Sequence, residues 1–191
     1  MIKFEIRFEG DKIKGTVPSS WEELTVKQWA ALRPENSDLE IVSILSGIDL
    51  EILENTKGDL SPVVEMVYKA LADMPSDLKD LPRQAITIMG KRVDFPKNLD
   101  FTRYGQKALT KNLLRDAEDM RAIIADVFAI YAQPSIEGKF DSNNLEPIKK
   151  AIEAMPIIQV LPWVIFFLKR LRRLKINLLI ASDPFLKVLI K

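Results

Sequence analysis

The feature that most constrains the fold of this chain is an order of motifs that occurs twice. In each half, a segment typical of a β-hairpin ends at a proline, Pro18 in the first half and Pro96 in the second. Ten residues after each proline stands a glutamine, Gln28 or Gln106, and two residues further stands an alanine. Self-similarity at a fixed spacing is the signature of repeated structural units.

The later parts of the two halves also correspond. A Leu-x-Pro-aliphatic helix start occurs at residues 60–63 and again at 145–148, and Met-Pro follows at 74–75 and 155–156. Prolines and helix starts also recur by chance, so chance recurrence is the alternative. The repeat predicts an α+β, mostly helical protein with two similar hairpin-plus-helices lobes from an internal duplication. The expected lobes are residues 1–82 and 83–156, followed by a C-terminal segment, 157–191.

Local patterns place the elements within each half. Apolar and charged residues alternate over residues 2–8, and the turn Glu9-Gly10-Asp11 leads back to 13–17, which predicts a hairpin. A second hairpin is predicted from Ile86 to Phe95, around Met89-Gly90-Lys91.

Capping residues and prolines mark the predicted helices. Thr25 with Gln28 fits a capping box, and Ser37 and Ser61-Pro62 fit helix starts. A long helix is predicted over 116–132, and a loop at Pro134 to Gly138. Pro156, Pro162 and Pro184 predict that the C-terminal helices are short or kinked.

The complete absence of cysteine and histidine restricts the chemistry of the chain. It excludes disulfides, Cys/His zinc sites and histidine acid–base catalysis. Acidic clusters at Glu22-Glu23 and at Asp116, Glu118 and Asp119 fit helix starts better than a metal cage. No phosphate-binding glycine pattern occurs. We therefore expect no catalytic residue, no metal and no cofactor, and a protein that is not an enzyme.

The C-terminal segment resembles a basic amphipathic helix. From residue 146 to the end there are nine Lys/Arg and three Asp/Glu. Its predicted partner-binding residues are Trp163, Phe166, Phe167, Leu171, Leu174 and Leu178, and its predicted basic face is Lys169, Arg170, Arg172, Arg173 and Lys175. Such a helix binds membranes, acidic partners or phosphate backbones. The alternative is a terminal helix that docks its apolar side on the protein's own core.

Two further features bear on location and on the core. Trp21 and Trp29 lie eight residues apart, so both are expected on one side of the chain, in the core or as interface anchors. The apolar stretch 157–168 is broken by Gln159 and Pro162 and is too short to cross a bilayer, so a cytoplasmic protein is expected.

Several short motifs of this chain form a pattern that is similar to one in a known group of proteins. The pattern comprises residues 17–29, Val-Pro-Ser-Ser-Trp-Glu-Glu-Leu-Thr-Val-Lys-Gln-Trp, residues 41–48, Ile-Val-Ser-Ile-Leu-Ser-Gly-Ile, and the second-half stretches 95–96, 104–106, 124–125 and 131–134. This pattern resembles that of small tailed-phage morphogenesis proteins, which are described as tail assembly chaperones or virion structural proteins. The basic C-terminal segment departs from the pattern.

The resemblance implies a non-enzymatic role in phage particle assembly, foremost of the tail. It implies other phage structural or assembly proteins as partners, homo-oligomerisation as an option, and a location in the host cytoplasm during assembly or in the virion. A chaperone that holds a long helical protein requires an apolar groove for amphipathic helices. The alternative from the residues themselves is a peripheral membrane- or nucleic-acid-binding protein that uses the basic C-terminal segment.

Overall fold

The computed structural model describes residues 1–72, 83–97, 101 and 103–182, and for residues 177–182 it describes the backbone alone. About 56% of the structure is helical. Over the described ranges there are eight α-helices and two two-stranded antiparallel sheets. This mixture confirms the prediction of a mostly helical chain with small antiparallel sheets.

The elements follow one another along the chain in a simple order. The first group is β1 Ile2–Phe8, β2 Asp11–Val17, α1 Val26–Ala31, α2 Asp38–Ser46, α3 Leu50–Glu54 and α4 Ser61–Ala72. The second group is β3 Ile86–Ile88, β4 Lys91–Val93, α5 Tyr104–Asp116, α6 Ile124–Glu137, a 3-10 turn at Ser142–Asn144, α7 Glu146–Glu153 and α8 Ile157–Ser182.

Contacts divide the chain into two compact units. Unit 1 comprises Met1–Lys79 together with Pro156–Gln159, and unit 2 comprises Asp80–Met155 together with Val160–Lys191. The short segment Pro156–Gln159 joins unit 1 through its backbone, because the amide of Ile157 donates a hydrogen bond of 2.7 Å to the carbonyl of Leu24. The first turn of α8 therefore belongs to unit 1 and the remainder of α8 to unit 2.

Both hairpins turn in the same way. Glu9 and Gly10 connect β1 to β2 with φ values of 50° and 96°, and Met89 and Gly90 connect β3 to β4 with φ values of 50° and 73°. Two successive positive φ angles match the right-handed twist of antiparallel strands. The two predicted hairpins are confirmed, although β4 ends at Val93 and does not reach Phe95.

The predicted caps of unit 1 are also present. The amide of Gln28 donates to the Thr25 hydroxyl at 3.2 Å, and the amide of Thr25 donates to the Gln28 side chain at 3.0 Å, which completes a capping box. Ser37 caps α2, and Gly47 ends that helix with φ of 73°.

Trp21 is buried and donates its indole N–H to the Leu71 carbonyl, whereas Trp29 is half-buried.

The predicted helix over 116–132 is wrong at its start. Asp116 ends α5, the chain leaves helical geometry at Ala117, and α6 begins at Ile124. The sequence patterns predicted no helix over residues 104–116. The buried stripe of α5 is Gln106, Thr110 and Leu114, two of which are polar. Hydrophobic periodicity is the main sequence signal for a helix, and polar residues on the buried face weaken it.

Two predictions about prolines are corrected. α6 runs through Pro134 to Glu137 and ends at Gly138, so Pro134 does not begin a loop. Likewise α8 is a single helix of 26 residues that contains Pro162, so the prediction of short helices is wrong here, while a kink at Pro162 stays a prediction. Proline removes one hydrogen bond to the carbonyl four residues earlier, and a helix continues when another group or surrounding packing compensates.

Candidate binding surfaces

The apolar side of α8 packs against other residues of unit 2. Trp163 stacks on Phe128 with ring centroids 4.7 Å apart, and Phe95 meets the same indole edge-on at 5.1 Å. Phe167 lies 5.2 Å from Phe128, also centroid to centroid. The indole N–H of Trp163 donates to the backbone carbonyl of Gln84 at 3.1 Å. This part of α8 is core structure, because both the rings and the polar atom of Trp163 find partners within the unit.

The predicted partner-binding residues occupy different environments. Trp163, Phe167 and Leu171 are at most 1% exposed, so a partner cannot reach them in this conformation. Phe166 is half-buried beneath the guanidinium of Arg170, which lies 5.6 Å from the ring centroid. Leu174 is 37% exposed. The side chain of Leu178 lies outside the described part of the chain.

The predicted basic residues also divide into two groups. Lys169, Arg172 and Arg173 are exposed. Arg170 and Lys175 are half-buried, and the ammonium group of Lys175 donates a hydrogen bond to the Ala117 carbonyl at the end of α5. The first group is available to an acidic partner, while Arg170 and Lys175 already contact unit 2.

The exposed cations share one helix face with an exposed apolar side chain. Ile176 is 47% exposed, and positions 169, 172, 173 and 176 have the i, i+3, i+4, i+7 spacing of one helix face. Lys169, Arg172 and Arg173 form no ion pair with another described residue. We call these four residues the cationic patch.

Unit 1 has an open groove of about 710 Å³ between α2, α3 and α4. Its apolar lining includes the half-buried Leu39, Leu60 and Val64. The described residues that line it include the exposed carboxylates Asp38, Glu54 and Glu65, and none of them is a Lys or an Arg. We call this concavity the α2–α4 groove.

One hydrogen bond crosses the α2–α4 groove. The hydroxyl of Tyr68 on α4 donates to the carboxylate of Asp38 on α2 at 2.7 Å. This bond stabilises the protonated phenol, so Asp38 raises the pKa of Tyr68 above its ordinary value. Glu54 and Glu65 have no ion pair with another described residue.

The sequence patterns did not indicate the α2–α4 groove. On α4, Met66 is 42% exposed and the nearby Tyr68 is 49% exposed. Val63 and Val67 form the buried face. Large apolar residues on two sides of one helix were the available signal, because a helix packed on one side only needs a single apolar stripe.

The acidic clusters are engaged in local contacts. The amino terminus of Met1, together with the amide and hydroxyl of Ser19, lowers the pKa of the Glu23 carboxyl to about 2. Asp116 pairs with Arg115 at 2.9 Å, and Asp119 pairs with Arg121 at 3.2 Å.

Among the described residues, no three His, Cys, Asp or Glu side chains gather in a way that would hold a metal ion. Over the same residues, no helix combines the length and apolarity needed to cross a membrane.

No family model matches the chain, and neither a curated protein nor a solved structure is significantly similar to it.

Proposed function

We propose that this protein acts in phage particle assembly, in the building of the tail, by binding other proteins without catalysis. Its role is that of an assembly chaperone or of a structural component of the virion. Its partners are other phage assembly or structural proteins, in the host cytoplasm or in the particle. The motifs that resemble tailed-phage morphogenesis proteins suggest the setting, and the α2–α4 groove is the observation that carries the binding role.

The α2–α4 groove has the features of a helix-binding site. Ser61, Val64, Glu65 and Tyr68 of α4 all line it, and they share the i, i+3, i+4, i+7 spacing of one helix face. Amphipathic helices bind in such grooves by placing their apolar positions against an apolar floor. The open shape and the apolar lining therefore suit a helical segment better than an enclosed small molecule.

We also propose that the two units descend from one duplicated lobe. Two hydrogen bonds support this proposal. The side-chain amide of Gln28 donates to the Leu45 carbonyl at 2.6 Å, and that of Gln106 donates to the Ile130 carbonyl at 2.7 Å. In both units a glutamine from the first helix after the hairpin satisfies a carbonyl on the next helix.

The spacing of these residues supports the same conclusion. Gln28 and Gln106 are 78 positions apart, as are the starts of α1 and α5 at residues 26 and 104. Leu45 and Ile130 are 85 positions apart, as are the prolines at 62 and 147. Buried pairs follow the second offset as well, since Val63 and Val67 of α4 correspond to Ile148 and Ile152 of α7.

Co-expression with the products of the neighbouring genes tests the proposed assembly role. We expect a stoichiometric complex with a long, mostly helical protein, because the α2–α4 groove fits an amphipathic helix. Native mass spectrometry of the purified complex gives the partner and the stoichiometry. Co-expression with a helical protein of unrelated origin is the control. If none of the neighbouring products forms a complex, the assembly role is contradicted.

The exposed cations of α8 favour one alternative function, binding to a membrane surface or to nucleic acid. Lys169, Arg172 and Arg173 are exposed together on one helix face. Contacts with phosphates weaken steeply as salt rises, because they depend on the release of counterions. Salt-sensitive binding to DNA or to anionic vesicles, in the absence of any protein partner, would favour this alternative.

A further inference from the structure

The α2–α4 groove and the cationic patch complement each other. The groove has an apolar floor and three carboxylates, and no cation stands among the described residues of its lining. The patch has one exposed apolar side chain, Ile176, among Lys169, Arg172 and Arg173. Each surface thus carries three charges of the sign opposite to those on the other surface. Each also offers apolar surface to the contact.

The two surfaces also match in helical geometry. α4 lines the groove with its 61, 64, 65, 68 stripe, and the patch is the 169, 172, 173, 176 stripe of α8. Both stripes have i, i+3, i+4, i+7 spacing, so each presents about two turns of helix. Helices that meet through such stripes pack side chain between side chain.

We propose that the α2–α4 groove binds the cationic patch of a second copy of this chain. The inference rests on the proposed function, in that it takes the groove as a protein-binding surface. Ile176 lies against Leu39, Leu60 and Val64, while the cations of the patch face the carboxylates at the rim. The groove and the patch are different surfaces, so the contact either occurs twice in a two-fold dimer or repeats head to tail in a ring or an open filament.

The electrostatic character of the contact determines its expected behaviour. Complementary charges accelerate association and select the partner, and salt screens them. We therefore expect reversible self-association of the full chain that is strongest at low ionic strength. Sedimentation velocity over a range of concentrations measures this directly.

Charge reversal tests the proposed pair of surfaces. The groove variant Glu54→Lys/Glu65→Lys and the patch variant Arg172→Glu/Arg173→Glu should each self-associate at least about tenfold more weakly, since each now opposes like charges. An equimolar mixture of the two variants should regain association. The reversed groove then meets the reversed patch, and the two unchanged surfaces also match.

The matched control is Lys107→Glu/Lys111→Glu, which changes the net charge as the patch variant does. Both of these lysines are exposed on α5 and belong neither to the patch nor to the lining of the groove. Circular dichroism checks that all variants are folded, and the control should associate as the parent does. This pattern, together with recovery in the mixture, would support docking between copies.

Three results would overturn the inference. The parent chain could be monomeric at every concentration in low salt, or the patch variant could associate as the parent does. In the third, the patch variant keeps self-association but loses binding to anionic phosphatidylserine vesicles or DNA, which would assign the patch to those ligands. If self-association is absent but Val64→Asp still abolishes binding of the co-expressed helical protein, the inference fails and the proposed function stands.

Discussion

Replacing Trp163 by alanine should lower the free energy of unfolding of unit 2 by about 3–5 kcal/mol. The side chain is 1% exposed and stacks on Phe128 at 4.7 Å. Its removal leaves a cavity and an unpaired carbonyl on Gln84, which now accepts the indole N–H. Domains of this size are stable by about 5–15 kcal/mol, so the loss is a large part of the total. Urea denaturation followed by circular dichroism measures it.

Two matched variants separate the contributions to this loss. Trp163→Phe keeps an aromatic ring but removes the N–H, so it should lose clearly less than the alanine variant. Phe166→Ala removes a half-buried ring on the next turn and should also lose less. A loss below about 1 kcal/mol for Trp163→Ala would contradict the assignment of the first half of α8 to the core.

Replacing Gln106 by leucine should destabilise unit 2 by about 1–3 kcal/mol, the usual range for a buried polar group left without a partner. Gln106 is 3% exposed and donates to the Ile130 carbonyl. In a regular helix the amide of residue 134 would supply that hydrogen bond. Pro134 has no N–H, so the side chain of Gln106 takes its place.

A double-mutant cycle with Pro134→Ala tests this explanation. The alanine restores an N–H that can reach the Ile130 carbonyl, so Gln106→Leu should then lose at least about 1 kcal/mol less than in the parent background. Gln28→Leu is the matched control, because its acceptor, the Leu45 carbonyl, lies at the end of α2, far along the chain from Pro134. Equal losses in both backgrounds would show that Gln106 does not compensate for the proline.

The sequence predicted those parts of the fold that depend on local contacts. The turns at Glu9-Gly10 and Met89-Gly90, the capping box of Thr25 and the start of α2 at Ser37 all follow from residues within a few positions of each other. Such signals are strong because each rests on a single backbone conformation or hydrogen bond.

The errors arose where a distant residue decides the local structure. α6 continues through Pro134 because Gln106, 28 positions earlier, satisfies the freed carbonyl. α5 was missed for a related reason, since its buried stripe begins with that same polar residue. A periodicity search counts apolar residues and cannot recognise a buried glutamine that pairs with a distant carbonyl.

The candidate surfaces were predictable to different degrees. Charge spacing alone indicated a helix with cations on one side, and Lys169, Arg172 and Arg173 are indeed exposed together. Which aromatic residues of α8 are buried was left open, because a docked helix and a free amphipathic helix have the same apolar stripe. The α2–α4 groove needs three helices from separate parts of the sequence, and no local pattern encodes their juxtaposition.

The affinity of the α2–α4 groove for the co-expressed helical protein tests the proposed function most directly. We would measure it by isothermal titration calorimetry with the parent chain, with Val64→Asp, and with Lys111→Asp as a surface control. Placing a charge on the apolar floor should weaken binding at least about tenfold, while the control should bind as the parent does. If Val64→Asp binds the helical protein as tightly as the parent chain, the groove is not its binding site and the proposal is contradicted.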